Sequence, residues 1–222
     1  MYRKLLSALL LAATLPACSF HGEIPSTTAH FKGLEARTIA LPGFDRIVFD
    51  ANALITLRMG HPQTLVLSTE PDHFAHLRAS VTDGELLIEH TDRHSGNRYV
   101  KIDVVTPNLA AVQLDAVVEA DFQDIEVDDI RIGFSGIGDV TFRGSCRRVT
   151  YNISAIGDFD AAQFLCHEVT ARISGIGDAT IYADGSLSLD VSGIGDVTVL
   201  GHPRVDRLRS RGMGDVSIQG RN

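Results

Sequence analysis

The stretch Ser135–Val140 reads S-G-I-G-D-V, and it decides the fold because it returns four times downstream. The later copies are S-A-I-G-D-F at 154–159, S-G-I-G-D-A at 174–179, S-G-I-G-D-V at 192–197 and R-G-M-G-D-V at 211–216. From Asp139 to Asp215, the aspartates of successive copies are 19, 20, 18 and 19 residues apart. A degenerate copy of the motif, D-A-V-V-E-A at 115–120, lies one period upstream. Such a period is typical of proteins in which each repeat is one structural unit.

The residues around each copy alternate between apolar and polar. Before the first copy the apolar residues are Ile130, Ile132 and Phe134, and Val140 and Phe142 follow it. This period of two predicts strands with one buried face. The isoleucine of the motif and the valine three residues later cannot share one face of an uninterrupted strand. We therefore expect the Gly-Asp pair to turn a corner so that both side chains point inward, with the aspartate bonding nearby backbone amides.

One period cannot bury its inward apolar residues alone, but stacked coils about 4.8 Å apart turn each position into a ladder. We therefore predict an all-β fold, a β-solenoid, most simply a right-handed parallel β-helix with coils of about 19 residues. The regular repeats cover 110–220, and the strand-rich residues 44–106 are expected to form irregular starting coils. One ladder is expected to contain Ile137, Ile156, Ile176, Ile194 and Met213. A β-propeller is disfavoured because each blade needs about 40 residues.

The N-terminus has the pattern of an export signal. Arg3 and Lys4 precede an apolar stretch, Leu5–Leu15, which leads into L-P-A-C at 15–18. This resembles the lipobox of bacterial lipoproteins, which implies cleavage before Cys18 and lipid on its thiol. The residue after it, Ser19, then implies the outer membrane. An ordinary secretory peptide and an uncleaved anchor are the alternatives. We predict a signal peptide at 1–18, a tether at 19–43 and a solenoid domain at 44–222.

The other two cysteines form a possible pair. Cys146 and Cys166 are 20 residues apart, which is about one coil. Residues one coil apart have Cα atoms about 4.8 Å apart, within the range of about 4.4–6.8 Å that a disulfide accepts. Their positions after the motif differ by one residue. In an exported protein the pair is expected to form a disulfide.

The acidic residues are the main chemical feature of the repeats. The chain carries a net charge of −8, which argues against a nucleic-acid partner. One aspartate per coil forms a column of Asp139, Asp158, Asp178, Asp196 and Asp215. A column of this kind could bind calcium, but calcium needs six to eight oxygen ligands, so a structural turn-capping role is expected and no metal site is predicted. The histidines are scattered, and His73 and His76 are expected at the surface.

The chain resembles a known family, the auto-transporter adhesin head domain named for its G-I-N motif. The resemblance covers roughly residues 44–222. It rests on F-D-R-I at 44–47, G-E-L-L-I at 84–88, V-T-P-N-L at 105–109 and the S-G-I-G-D-V series. It implies a β-helical fold and an adhesin or surface-scaffold role, and it supplies no catalytic residues.

Together these observations predict a non-catalytic binding or scaffold module, anchored in the cell envelope through its N-terminal lipid. An envelope protein or a glycan is the expected partner, and no cofactor is expected. The alternative is a polysaccharide-active β-helix enzyme that uses exposed carboxylates. Irregular acidic residues in one surface groove would favour the enzyme, whereas an unbroken ladder favours the scaffold.

Overall fold

The fold is nearly all-β. The structure, a computed structural model, describes residues 33–92 and 98–220. In these segments the strands are β1 (Glu35–Ile39), β2 (Arg46–Asp50), β3 (Ala53–Met59), β4 (Thr64–Thr69), β5 (Leu77–Thr82), β6 (Glu85–His90), β7 (Val100–Thr106), β8 (Ala111–Leu114), β9 (Val117–Phe134), β10 (Ile137–Ile153), β11 (Phe159–Ile173), β12 (Ala179–Val191), β13 (Val197–Leu200), β14 (Arg204–Ser210) and β15 (Val216–Gln219). A short 3-10 turn covers His73–His76. No helix in the described segments is long and apolar enough to cross a membrane.

The downstream half is a regular stack of parallel coils. Strand β10 pairs in parallel with β9 on one side and with β11 on the other. Strand β11 continues the stack to β12, which pairs with β13 and β14, and β13 pairs with β15. The predicted parallel β-solenoid is confirmed. Its register follows the sequence repeat, since Val140 faces Phe159, Phe159 faces Ala179 and Ala179 faces Val197.

The upstream coils are stacked out of sequence order. Strand β2 lies between β6 and β8, and β3 lies between β7 and β9, all in parallel. The coil formed by β2 and β3 is therefore inserted between the coil of β6 and β7 and the first regular coil. These strands belong to the same solenoid, as expected, but the first coil in the sequence is not the first in space.

Antiparallel strands cover the upstream coils. Strand β4 pairs with β7, β1 pairs with β4, and β5 pairs with β6 through a tight turn at Asp83 and Gly84, both with positive φ. Strand β1 lies within 19–43, the range for which the sequence predicts a tether. The folded part thus extends into that range, because β1 forms backbone hydrogen bonds with the edge of β4. The weak side-chain periodicity of residues 19–43 does not reveal this pairing.

The core is a column of apolar side chains that runs through the stacked coils. Phe122 and Phe142, on adjacent coils, stack face to face with ring centroids 4.2 Å apart. Phe142 also contacts Phe159 and Phe164, both at 5.8 Å, and Tyr151 meets Phe159 edge-on at 5.3 Å. All five rings are fully buried. This packing holds adjacent coils in a fixed register and so determines which side chains lie on the outer surface.

Candidate binding surface

The isoleucines of the repeated motif form a ladder, but it faces outward. Each is bridged in parallel to its counterpart on the next coil, from Ile137 through Ile156, Ile176 and Ile194 to Met213. Their side chains are 51, 50, 51, 46 and 67% exposed, in that order. The predicted register is confirmed, and the predicted inward orientation is wrong. Burial alternates without a break from Phe134 to Val140, so the isoleucine and the valine occupy opposite faces of one strand-like segment.

Glycine allows the segment to continue through the corner. In the third copy Gly177 has a φ of +133°, a conformation that side chains disfavour. A Cβ on Gly177 would lie 2.1 Å from the carbonyl oxygen of Gly157 on the preceding coil. At the motif glycines the backbone therefore packs on the backbone of the preceding coil with no room for a side chain, and one inward position holds the small side chain of Ala155. The outward isoleucine stands above these glycines as a ridge.

The five aspartates form a second outward ladder, two residues beyond the isoleucines. The carboxylates of the first four each accept a hydrogen bond from the backbone N–H of the aspartate on the next coil, whereas the sequence suggested a bond within the aspartate's own turn. The four bonds are Asp158 N to Asp139 Oδ1 at 3.0 Å, Asp178 N to Asp158 Oδ1 at 3.0 Å, Asp196 N to Asp178 Oδ1 at 2.8 Å and Asp215 N to Asp196 Oδ1 at 2.9 Å. The ladder thus links coil to coil with one charge-assisted bond per step.

The aspartate ladder also leaves negative charge at the surface. All five aspartates are exposed. Within 33–92 and 98–220, no lysine or arginine forms an ion pair with any of them. The same segments hold no group of three or more His, Cys, Asp or Glu side chains that could bind a metal. The next outward column is mixed, since Asp160 pairs in register with Thr141 and Thr180.

A different column borders the isoleucines on their other side. Four copies of the motif have serine at this position, and the last copy has Arg211, which forms an ion pair with Asp190 at 2.9 Å. The apolar ridge is therefore flanked by small neutral side chains on one side and by carboxylates on the other. The surface therefore differs in charge between the two sides of the isoleucine ladder.

The two cysteines face each other directly. Cys146 and Cys166 are partners in the register of β10 and β11, with Cα atoms 4.5 Å apart, and the structure joins them as a disulfide. A register shift explains how they meet despite their unequal positions after the motif. Thr141 faces Asp160, an offset of 19, whereas Arg143 faces Gln163, an offset of 20. The irregularity thus lies between the motif and the cysteines.

An acidic groove of about 630 Å³ lies at the upstream end of the isoleucine ladder. Asp50, Glu89, Asp92 and Asp115 line it, and Ile137 forms part of its wall. Ser135 Oγ donates a 2.6 Å hydrogen bond to Asp115 Oδ1. Arg78 Nη1 lies 3.6 Å from Glu89 Oε1. Sequence reasoning missed this groove, because it is assembled from coils that are distant in sequence and exchanged in order.

A pair of histidines lies among the upstream strands, with His73 in the 3-10 turn and the half-buried His90 at the end of β6. His73 is fully buried, so the prediction that it lies at the surface is wrong. Its Nδ1 lies 2.8 Å from Thr69 Oγ1, and its ring meets His90 edge-on at 5.0 Å. Burial lowers the pKa of both histidines below the usual 6.5, and for His73 the nearby His90 and Arg98 act in the same direction. The structure brings His73 next to His90, which sequence spacing did not pair.

Cys18, the predicted lipidation site, lies outside the described residues, as does the signal peptide at 1–18. The family and fold can nevertheless be compared with known proteins. The model of the family described as "Putative auto-transporter adhesin, head GIN domain" matches residues 43–203. No curated protein matches the chain.

Solved structures share the fold at low sequence identity. A "putative adhesin" from Bacteroides fragilis is 18% identical, with a TM-score of 0.67, over 86% of this chain and 98% of that one. A "putative lipid binding protein" from Parabacteroides distasonis is 17% identical over 86% and 98% of the two chains, with a TM-score of 0.45. The first of these supports the solenoid fold, and the family match spans well over half of the sequence. This chain therefore belongs to the adhesin head GIN domain family.

Proposed function

We propose that the chain is a non-catalytic, adhesin-like binding module of the cell envelope. The outward ladder of four isoleucines and one methionine carries this proposal. Exposed apolar residues are ordinary when they are scattered, but a contiguous exposed row marks an interaction surface. At about 4.8 Å per coil, the row from Ile137 to Met213 is roughly 19 Å long.

The ladder has no evident role inside the fold. The neighbouring outward columns of serine and aspartate show that polar side chains fit this surface. The inward core is complete without the isoleucines, because Val140, Phe159, Ala179 and Val197 fill the buried side of the same segments. An apolar residue kept at every coil therefore favours recognition over stability.

Attachment to the membrane is the second part of the proposal. The lipobox-like sequence before Cys18 supports a lipid anchor, and Ser19 supports the outer membrane as the destination. The ladder would then face partners in the periplasm or at the cell surface. Mass spectrometry of the mature N-terminus tests the anchor: a diacylated Cys18 is expected, and an unmodified Cys18 or cleavage elsewhere would refute it.

Binding is tested with the purified full-length chain on arrays of envelope proteins and glycans. The decisive variant carries Ile156→Ser, Ile176→Ser and Ile194→Ser. The matched control is Leu165→Ser, because Leu165 is 42% exposed and lies outside the ladder. We expect the wild type and the control to retain the same ligands and the triple variant to lose them. Equal binding by all three proteins would show that the ladder is not required for binding.

The acidic groove supports a second candidate function, the cleavage of an acidic polysaccharide. Its carboxylates are irregular in position, unlike those of the ladder, and enzymes of this kind place acid and base groups on opposite sides of a bound sugar. Asp115 and Glu89 are both held by neighbouring side chains, Ser135 and Arg78. Such contacts are also those of ordinary surface residues, so the binding function is favoured.

Incubation with uronic-acid polysaccharides separates the two functions. New reducing ends or unsaturated products that disappear in Asp115→Asn, and persist in the triple isoleucine variant, would establish the enzyme. We expect no product from the wild type. Asp128→Asn is the control, since Asp128 is exposed and lies outside the groove.

A further inference from the structure

We propose that the occupant of the isoleucine ladder is a basic amphipathic α-helix of a partner protein, lying along the solenoid axis. This inference rests on the proposed binding function and specifies its partner. Three features of the surface carry it: the pitch of the apolar ridge, the charge on one flank and the small serine side chains on the other flank.

The pitch of the ridge matches that of a helix. Apolar side chains along one helix face recur every 3.5 residues on average, which is about 5.3 Å at a rise of 1.5 Å per residue. Ladder side chains recur about every 4.8 Å. Over the four steps from Ile137 to Met213, a helix advances about 21 Å and the ladder about 19 Å, so the two rows stay in phase.

An extended strand does not fit the same row. Side chains on one face of a strand recur every two residues, or about 6.7 Å. Four such steps cover about 27 Å, so a strand would lose register with the ladder by more than one coil. A helix therefore makes apolar contact at every coil, and a strand does so only at some.

Charge defines the chemistry of the helix. The aspartate ladder runs parallel to the ridge at an offset of two residues, and its carboxylates have no lysine or arginine partner within the described segments. On the other flank the side chains are serine in four of the five copies. The complementary helix carries an apolar stripe with lysine or arginine along one border. A second copy of this chain is disfavoured, because it would bring two aspartate ladders together.

Small side chains on one flank make room for the helix. On the outward face the neighbour before each exposed isoleucine is a serine in four of the five copies, because the adjacent glycines occupy inward positions. The isoleucine ridge is therefore bordered on one side by shorter side chains, over which leucine side chains of a helix can pack. Ridges that fit into grooves are the usual basis of close packing against a helix.

The test uses three synthetic peptides of 18 residues and the purified full-length chain. The first peptide is helical, with leucine at the a and d positions and lysine along one border. The second has glutamate in place of lysine, and the third alternates valine and lysine as a strand. We expect the helical lysine peptide to bind at least tenfold more tightly than either of the others, with an affinity that falls as salt is raised.

Variants locate the site. Ile156→Ser, Ile176→Ser and Ile194→Ser together should weaken the helical lysine peptide at least tenfold. Asp158→Asn, Asp178→Asn and Asp196→Asn together should weaken it and flatten its salt dependence, since asparagine keeps the coil-to-coil acceptor. Leu165→Ser and Asp128→Asn should bind like the wild type. Unfolding temperatures are compared throughout, and if the triple serine variant unfolds, single Ile176→Ser is used, with a smaller loss expected.

The inference would be overturned by equal binding of the strand peptide, by equal binding of the glutamate peptide, or by no loss in the ladder variants. These failures are distinguishable from failure of the proposed function. If the ladder variants lose their array ligands and the helical peptide does not bind, the helix is wrong and the binding surface stands. A glycan as the sole ladder-dependent ligand would likewise exclude the helix.

Discussion

The carboxylate of Asp178 accepts a 2.8 Å hydrogen bond from the backbone N–H of Asp196, which lies one coil further along the solenoid. The same bond recurs between each pair of neighbouring ladder aspartates. It explains why a side chain with an acceptor oxygen recurs at this position although like charges stack there. The bond needs an acceptor oxygen and does not need the negative charge.

Substitution of Asp196 separates these two properties. Asp196→Ala removes the acceptor for the Asp215 amide, and we expect the free energy of unfolding to fall by about 1 kcal/mol. Asp196→Asn keeps the acceptor and relieves repulsion, so a change below about 0.5 kcal/mol is expected. Chemical denaturation measures both. Asp215→Ala is the matched control, because Asp215 accepts no such bond within the described segments.

The same ladder predicts the response to calcium. We expect no rise in unfolding temperature when calcium replaces a chelator, because each coil offers one ladder carboxylate and calcium requires six to eight oxygens. The wild-type chain is the test protein. A large rise, lost when neighbouring aspartates are changed to asparagine, would make the ladder a metal site.

The hydroxyl group of Tyr151 is buried in the core without a hydrogen-bond partner among the described residues. Burial also raises the pKa of this hydroxyl far above its usual value. Tyr151→Phe removes the unsatisfied group and keeps the ring that packs on Phe159. We expect the free energy of unfolding to rise by about 1 kcal/mol. Tyr182→Phe, at a partly exposed site, should have no effect.

The bond between Cys146 and Cys166 should stabilise the two coils that it joins. It closes a loop of 20 residues, for which loop entropy predicts about 3 kcal/mol. Replacing both cysteines with alanine should lower the free energy of unfolding by this order. In the wild type, thiol labelling under denaturing conditions without reductant should leave both cysteines unmodified. Complete labelling of both would show that the bond is absent from the protein.

His73 and His90 predict a loss of stability in mild acid. Because burial lowers the pKa of His73 and His90 in the fold, the unfolded chain binds protons that the folded chain does not. Stability is therefore independent of these groups well above pH 6.5, and falls as the pH drops from about 6.5 towards their lowered values. His73→Gln should reduce this slope without abolishing it, because His90 remains. His202→Gln, at an exposed site, should leave it unchanged.

The register of the coils could be predicted from the sequence, but the direction in which the motif isoleucines point could not. Five visible copies of one motif align Ile137 with Ile156 and every later counterpart, so the ladder follows directly from spacing. Its orientation depends on whether the chain bends or continues at Gly138, and glycine permits both. The assumption that apolar residues point inward failed here because the inward positions lie so close to the preceding coil that they hold glycine or, at Ala155, alanine.

The upstream half shows a second limit. The alternation of apolar and polar residues indicates the strands β2, β3, β6 and β7. No local sequence feature indicates that β3 lies between β7 and β9. The acidic groove and the contact of His73 with His90 both depend on that exchange or on the antiparallel strands beside it. Contacts of this kind are set by long-range pairing, which a single sequence does not encode in its periodicity.

The most direct test of the account is whether the isoleucine ladder is covered in the cell envelope. Ile176→Cys is labelled with a maleimide in the purified full-length chain and in envelope fractions from cells that produce it, and Leu165→Cys is the control. We predict fast labelling of both sites in the purified chain and, in the envelope, protection at position 176 alone. Equal labelling of position 176 in both preparations would contradict the claim that this ladder is a binding surface.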